Sequence, residues 1–127
     1  MRYLSPMKFM QEVRPVANLV TAYSPDGIAL GTQRLTGPLA VSADQLLHPW
    51  SVAPLEALAE AHFAPLLAWQ PEILLLGTGE RQRFPPASLM AALLSRRVGL
   101  EVMDSRAACR TYNVLVGESR AVVLALL

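Results

Sequence analysis

The sequence predicts a single α/β domain in which helices pack on a central mixed β-sheet, with an N-terminal β-hairpin followed by a β-α-β-α-β half. Short apolar runs alternate with helical patterns in the second half of the chain, as in parallel α/β sheets. A turn motif separates two β-forming runs in the first half. The length of 127 residues fits one domain with its own core.

The boundaries of this domain are expected at residues 17–127. Residues 1–16 mix charged side chains, methionines and two prolines. This composition predicts a loose N-terminal arm or an edge segment rather than part of the core.

A β-hairpin is predicted over residues 18–35. Residues 18–23 are rich in β-forming side chains, and residues 28–35 read as one continuous second strand. The segment between them, Ser-Pro-Asp-Gly at 24–27, favours a tight turn because proline presets φ and glycine accepts positive φ.

The middle of the chain is less regular. Residues 39–42 predict a short third strand. Prolines interrupt any long helix over residues 43–60. Residues 61–69 predict a helix, with Pro65 near the first turn, where its missing N–H costs little.

The second half has the clearest pattern. Residues 73–76 (Ile-Leu-Leu-Leu) form an unbroken apolar run, typical of a strand covered on both faces. Because a helix connects this strand to the next, we expect the two to be parallel, through a right-handed crossover. The elements predicted after it are a helix over 87–97, a strand over 100–103, a helix over 106–118 capped by Ser105, and a strand over 121–127.

Polar segments follow both predicted parallel strands. Ligands collect outside the carboxyl ends of such strands, so we expect residues 77–83 and 104–106 to border one crevice. Arginine near a helix N-terminus and a glycine-rich loop can hold a small anion. The candidate ligand-binding residues are Gly77, Thr78, Gly79, Glu80, Asp104, Ser105, Arg106, Arg110 and Asn113.

A structural alternative applies to the same residues. Arg106, Arg110 and Asn113 lie at i, i+4 and i+7 of the last predicted helix and therefore share one face. Either arginine could instead form an internal salt bridge with Glu80 or Asp104.

Catalytic and cofactor motifs are incomplete. Gly77-x-Gly79 begins a dinucleotide fingerprint, but residue 82 is glutamine where the third glycine belongs, and no P-loop lysine follows. His48 and His62 show no metal-ligand spacing. We therefore predict no catalytic residues, no metal and no cofactor.

Composition restricts the partners and the compartment. A net charge of +1 gives no basic footprint for nucleic acid, whereas 53% hydrophobic and 17% charged residues favour a protein partner on an apolar surface. The same composition is also compatible with a homo-oligomer. The single Cys109 excludes an internal disulfide and suits a reducing compartment. No apolar signal region and no stretch long enough to span a membrane are present, so a cytoplasmic location is expected.

Two segments of the chain carry a family resemblance. PEILLLGTGE at 71–80 and EVMDSRAACRTYNVL at 101–115 resemble a family of small α/β proteins. The family includes the mitochondrial complex I assembly factor 3 and many short bacterial and archaeal proteins, and the resemblance extends over residues 17–127. The positions that match its signature are Gly77, Gly79, Asp104, Ala108, Arg110, Thr111, Tyr112 and Asn113.

The resemblance implies a fold and a kind of function. It implies a central mixed sheet and, for the mitochondrial relative, a role in building the matrix arm of NADH:ubiquinone oxidoreductase through protein contacts. It brings no catalytic residues. We therefore expect a non-catalytic binding or assembly-factor-like protein. The alternative is an enzyme or an anion-binding protein with its site at the carboxyl ends of the strands at 73–76 and 99–103.

Overall fold

The structure, a computed structural model, describes residues 17–127, so the arm predicted at residues 1–16 lies outside the described residues. The described chain forms eight strands, three α-helices and two short 3-10 helices (Leu55–Ala57 and Glu60–Phe63). The strands are β1 (Val20–Ser24), β2 (Gly27–Leu30), β3 (Gln33–Leu35), β4 (Leu39–Val41), β5 (Leu46–Leu47), β6 (Ile73–Gly77), β7 (Gly99–Met103) and β8 (Val122–Leu126). The helices are α1 (Ala64–Leu67), α2 (Ala87–Ser95) and α3 (Ser105–Gly117).

A five-stranded mixed sheet lies at the centre, in the order β5-β4-β8-β6-β7. β6 pairs in parallel with both β7 and β8, whereas β4 pairs antiparallel with β8 and β5. Every residue of β8 is buried. The predicted mixed sheet, the parallel pair and the two-sided burial of residues 74–76 are confirmed.

The N-terminal strands form a separate three-stranded sheet in the order β1-β2-β3. Ser24 pairs with Gly27 across the predicted turn. The prediction of one continuous second strand over 28–35 is wrong, because the chain reverses at Gly31, whose φ is +61°. Positive φ at this glycine turns the run back on itself, so a three-stranded meander replaces the simple hairpin.

The central sheet has a core on each face, because side chains alternate along its strands. Leu74 and Leu76 point to one face, where they pack with α2 and with Phe63 and Leu66. Leu75 and Leu124 point to the other face, where they pack with α3 and the three-stranded sheet. Helices α2 and α3 therefore lie on opposite faces of the central sheet.

The helices differ from their predicted limits, α3 by one residue at each end. The helix predicted over 61–69 begins as the 3-10 turn Glu60–Phe63 and continues as α1, with Pro65 in the first turn as predicted. α2 ends at Ser95 rather than at residue 97, because Arg97 has a φ of +62°, which is not helical. Within residues 17–127, no helix has the length and apolar character needed to cross a membrane.

Candidate functional site

The loop after β6 and the start of α3 are joined by two reciprocal hydrogen bonds. The Gly79 amide donates to Ser105 Oγ at 2.8 Å, and the Ser105 amide donates to the Gly79 carbonyl at 2.8 Å. The two polar segments expected to border one crevice therefore lie in direct contact, at the carboxyl ends of β6 and β7.

The cap of α3 differs from the prediction. The residue that caps the helix is Asp104, whose Oδ1 accepts a hydrogen bond from the Ala107 amide at 2.9 Å. The prediction that Ser105 is the cap is wrong, because its hydroxyl faces the loop and is buried there. Since Gly79 and Asp104 also accept from the amides of Ser105 and Ala108, these donors are no longer open to an anion at the helix N-terminus.

The two glycines of the loop are needed for different reasons. A Cβ on Gly77 would lie 2.5 Å from Leu126 Cδ2 and 2.9 Å from Ser105 Oγ, so the backbone approaches its neighbours too closely for any side chain. Gly79 has open space around it, but its φ of +94° is one that other residues rarely adopt. Gly77 therefore allows close packing, and Gly79 allows the turn.

Thr78 and Gln82 hold the rest of the loop. The buried Thr78 hydroxyl donates to the Arg81 carbonyl at 2.6 Å and accepts from the Arg83 amide at 3.0 Å. Gln82 Nε2 donates to the Val102 carbonyl of β7 at 2.8 Å. The side chains of Thr78 and Gln82 therefore maintain the shape of the loop.

Two side chains of α3 attach the N-terminal sheet. Asn113 Oδ1 accepts from the Val20 amide at 3.0 Å, and Asn113 Nδ2 donates to the Val20 carbonyl at 2.8 Å. The Tyr112 hydroxyl donates to the Asn18 carbonyl at 2.7 Å, and burial raises the pKa of this hydroxyl, so it remains protonated. Asn113 thus replaces a partner strand along the free edge of β1.

Arg106 and Arg110 project from the same helix face. The Arg106 guanidinium carbon lies 4.9 Å from the centroid of the Tyr23 ring, in a cation–π contact. Salt bridges to Glu80 or Asp104, the structural alternative from the sequence, do not form within residues 17–127. The ion pairs found in this part of the chain are Arg83–Glu56, Arg96–Glu60 and Arg120–Glu72.

Three adjoining cavities surround Tyr23, which the sequence did not indicate as a site residue. One of about 160 Å³ reaches Gly79 and Ser105, and one of about 180 Å³ is bordered by Glu80, Asp104 and Arg106. The third, of about 200 Å³, lies between β1 and the face of α3 that carries Arg106, Arg110 and Asn113. Gly77 and Thr78, by contrast, are buried beneath the loop.

The potential metal ligands of the described residues do not cluster. No three His, Cys, Asp or Glu side chains come together within residues 17–127. His48 Nε2 lies 2.7 Å from the Thr36 carbonyl, and His62 Nδ1 accepts from the Ala59 amide at 3.0 Å. Each imidazole therefore has a backbone hydrogen-bonding partner.

Cys109 is expected to react slowly with thiol reagents. Burial raises the pKa of its thiol from 9.0 to about 11, and this outweighs the opposite effect of Arg106 and Arg110. A raised pKa lowers the thiolate fraction, so at pH 8 native protein should be modified about a hundredfold more slowly than protein unfolded in urea. Absorbance with a disulfide reagent measures both rates; equal rates would contradict the burial of this thiol.

The fold and the site together define a class: a small α/β domain with a mixed sheet, in which the glycine loop and the last helix are bonded to each other beside a group of cavities. A family model described as "Protein of unknown function (DUF498/DUF598)" matches residues 20–127, and the chain belongs to that family. The family resemblance carried by the two segments is thereby confirmed.

Relatives and solved structures agree with this assignment. The chain is 37% identical over 86 residues to the "13 kDa major membrane protein" of Francisella tularensis, covering 67% of this chain and 70% of that protein. It is 28% identical over 123 residues to NADH dehydrogenase (ubiquinone) 1 alpha subcomplex assembly factor 3 of Bos taurus, covering 95% of this chain and 66% of the bovine protein. An NMR structure from Xanthomonas campestris superposes with a TM-score of 0.82 at 40% identity, over 94% of this chain and 91% of the other.

Proposed function

We propose that this protein is a non-catalytic binding protein that acts like an assembly factor, in the cytoplasm, through contacts with another protein. The names of the relatives support an assembly role, since several are assembly factors of a respiratory complex. This chain spans about two thirds of the bovine protein. The partner proposed here is therefore a protein subunit that awaits assembly, without further identification.

The observation that carries the proposal is the outer face of α2. Its sequence, ASLMAALLS, is apolar almost all round, a pattern typical of a helix covered on every side. Only Leu89 and Leu93 are buried, however, whereas Leu94 is 72% exposed. Phe84, three residues before the helix, is 63% exposed. Phe84 and Leu94 together are called the α2 surface. Large apolar side chains exposed in this way favour contact with a protein partner.

Charged residues border this apolar surface. Arg83 lies 3.8 Å from Glu56, and Arg96 pairs with Glu60. These pairs are exposed and add little to stability. Arg83 adjoins Phe84 in sequence and Arg96 lies two residues after Leu94, so charged side chains accompany the apolar ones, as at the rim of protein–protein interfaces.

The catalytic alternative has less support. A reaction centre needs a nucleophile next to a base, or a group of polar side chains directed into a cavity. Thr78, Ser105, Asp104 and Asn113 instead bond to the surrounding backbone. Of the predicted site residues, the two arginines of α3 are the ones whose geometry favours ligand binding, of an anion rather than of a reacting substrate.

The double variant Phe84→Ser/Leu94→Ser tests the proposed surface. Tagged wild-type protein and variant are used to capture partners separately from soluble and membrane fractions, and the partner identified by mass spectrometry is then purified and titrated directly. We expect the variant to bind at least about tenfold more weakly, because it removes two large apolar side chains from the contact area. Recovery from the soluble fraction would agree with the proposed location.

Val114→Ser is the matched control. Val114 is also apolar and 58% exposed, but it lies on α3, across the sheet from α2. We expect it to bind like the wild type, and both variants to unfold at similar urea concentrations. If the double variant binds the purified partner with unchanged affinity, the α2 surface is not the interface.

A further inference from the structure

The groove between β1 and α3 combines a cavity with an unbalanced charge. One wall is formed by residues 20–23, and the other by the helix face that carries Arg106 and Arg110. The groove encloses about 200 Å³. This volume is below the range usual for drug-sized ligands, so it fits a small ion or a single side chain.

Within residues 17–127, neither arginine of the groove has a carboxylate partner within 4 Å, since the ion pairs of this part involve other arginines. The acidic residues Glu80 and Asp104 border the neighbouring cavity, which Arg106 also borders, but they do not line this groove. Two like charges one helical turn apart repel each other. An anion between Arg106 and Arg110 would relieve that repulsion.

The groove is held in shape before any ligand binds. Asn113 forms two hydrogen bonds with the Val20 backbone, which tie the β1 wall to the helix. The Arg106 guanidinium carbon lies over the Tyr23 ring, 4.9 Å from its centroid. Stacking on an aromatic ring leaves the N–H groups at the guanidinium edge directed outward, as bidentate binding of an oxyanion needs.

We propose that the β1–α3 groove is a binding site for an oxyanion, a carboxylate or phosphate group, held by Arg106 and Arg110. The group belongs either to a free small anion or to an acidic side chain of a protein. The site lies on the α3 face of the central sheet, opposite the α2 surface. It is therefore independent of the proposed interface and can be tested without it.

Titrations followed by NMR test this site with two probes, inorganic phosphate and a hexaglutamate peptide, each at constant ionic strength. We expect saturable shifts confined to the amides of residues 20–23 and 106–113. Saturation by phosphate identifies a free anion, and saturation by the peptide alone identifies an acidic protein segment. Either result supports the site, whereas no saturable shift with either probe overturns it.

Variants separate specific binding from general attraction to positive charge. Arg110→Gln should weaken binding by about tenfold, because it removes one charge-assisted contact. Arg106→Lys should weaken it less, since the charge remains and the planar fork is lost. Arg34→Gln, an exposed substitution on β3, is the control and should leave binding unchanged. An equal loss with Arg34→Gln would overturn the proposal.

The α2 double variant shows whether this site and the proposed function fail together. Phe84→Ser/Leu94→Ser protein should bind phosphate or the peptide with wild-type affinity. If the anion titrations fail while the α2 surface still binds its partner, the groove proposal alone is wrong. If the double variant binds its partner with unchanged affinity while the anion titrations saturate, the oxyanion site stands without the proposed interface.

Discussion

Replacing Gly77 with alanine is expected to destabilise the fold by about 1–3 kcal/mol, the usual cost of forcing an extra methyl group into a packed site. The new Cβ would lie 2.5 Å from Leu126 Cδ2 and 3.0 Å from Ser105 Cα. The leucine side chain can rotate, but Ser105 is bonded to Gly79 through both its amide and its hydroxyl. Relief of the contact would break these bonds, so we expect a cost near the upper end.

Urea unfolding monitored by circular dichroism measures this effect. Gly117→Ala is the control, because Gly117 lies in the last turn of α3 with open space around it. Alanine there should be neutral or stabilise by up to about 1 kcal/mol, since it favours helix more than glycine does. Equal unfolding midpoints for Gly77→Ala and the wild type would show that the close approach is not rigid.

Replacing Asn113 with alanine is expected to cost about 2 kcal/mol, because two hydrogen bonds to the Val20 backbone disappear together. Both Val20 groups would lose their partners at a partly buried strand edge. The change should also loosen β1 locally, which hydrogen exchange at the Val20 amide reports as faster exchange. If the effect were purely global, the amides of the central strands would exchange faster to the same extent as the Val20 amide.

Two further variants complete the Asn113 experiment. Asn113→Asp keeps an acceptor for the Val20 amide but places a carboxylate oxygen against the Val20 carbonyl, so it should not restore stability. Thr111→Ala, at a partly exposed position of the same helix, should stay within about 0.5 kcal/mol of the wild type. If Asn113→Ala is as stable as Thr111→Ala, the side-chain amide of Asn113 does not anchor β1.

The central strands could be predicted from sequence because their burial leaves a direct pattern. Residues 73–76 are apolar without interruption because β6 lies between β7 and β8 and is covered on both faces. The break between β2 and β3 was missed for a local reason. Gly31 interrupts an otherwise strand-like run, and its positive φ changes a continuation into a turn.

The candidate site was predictable in position but not in detail. The rule for carboxyl ends of parallel strands correctly places Gly79 beside the start of α3. Asp104 and Ser105 are both good capping residues, and the choice between them depends on the loop that Ser105 contacts. The contact between Asn113 and Val20 joins residues 93 positions apart, and no local pattern encodes it.

The strand order has a consequence for the order in which the sheet is completed. β8 comes last of the eight strands along the chain, yet it occupies the middle of the five-stranded sheet, between β4 and β6. β4 and β6 have no common neighbour until β8 joins them, so the central sheet cannot close before β8 pairs with both. Until then each of these two strands has an unpaired backbone edge, so the incomplete sheet is the state most exposed to wrong pairing.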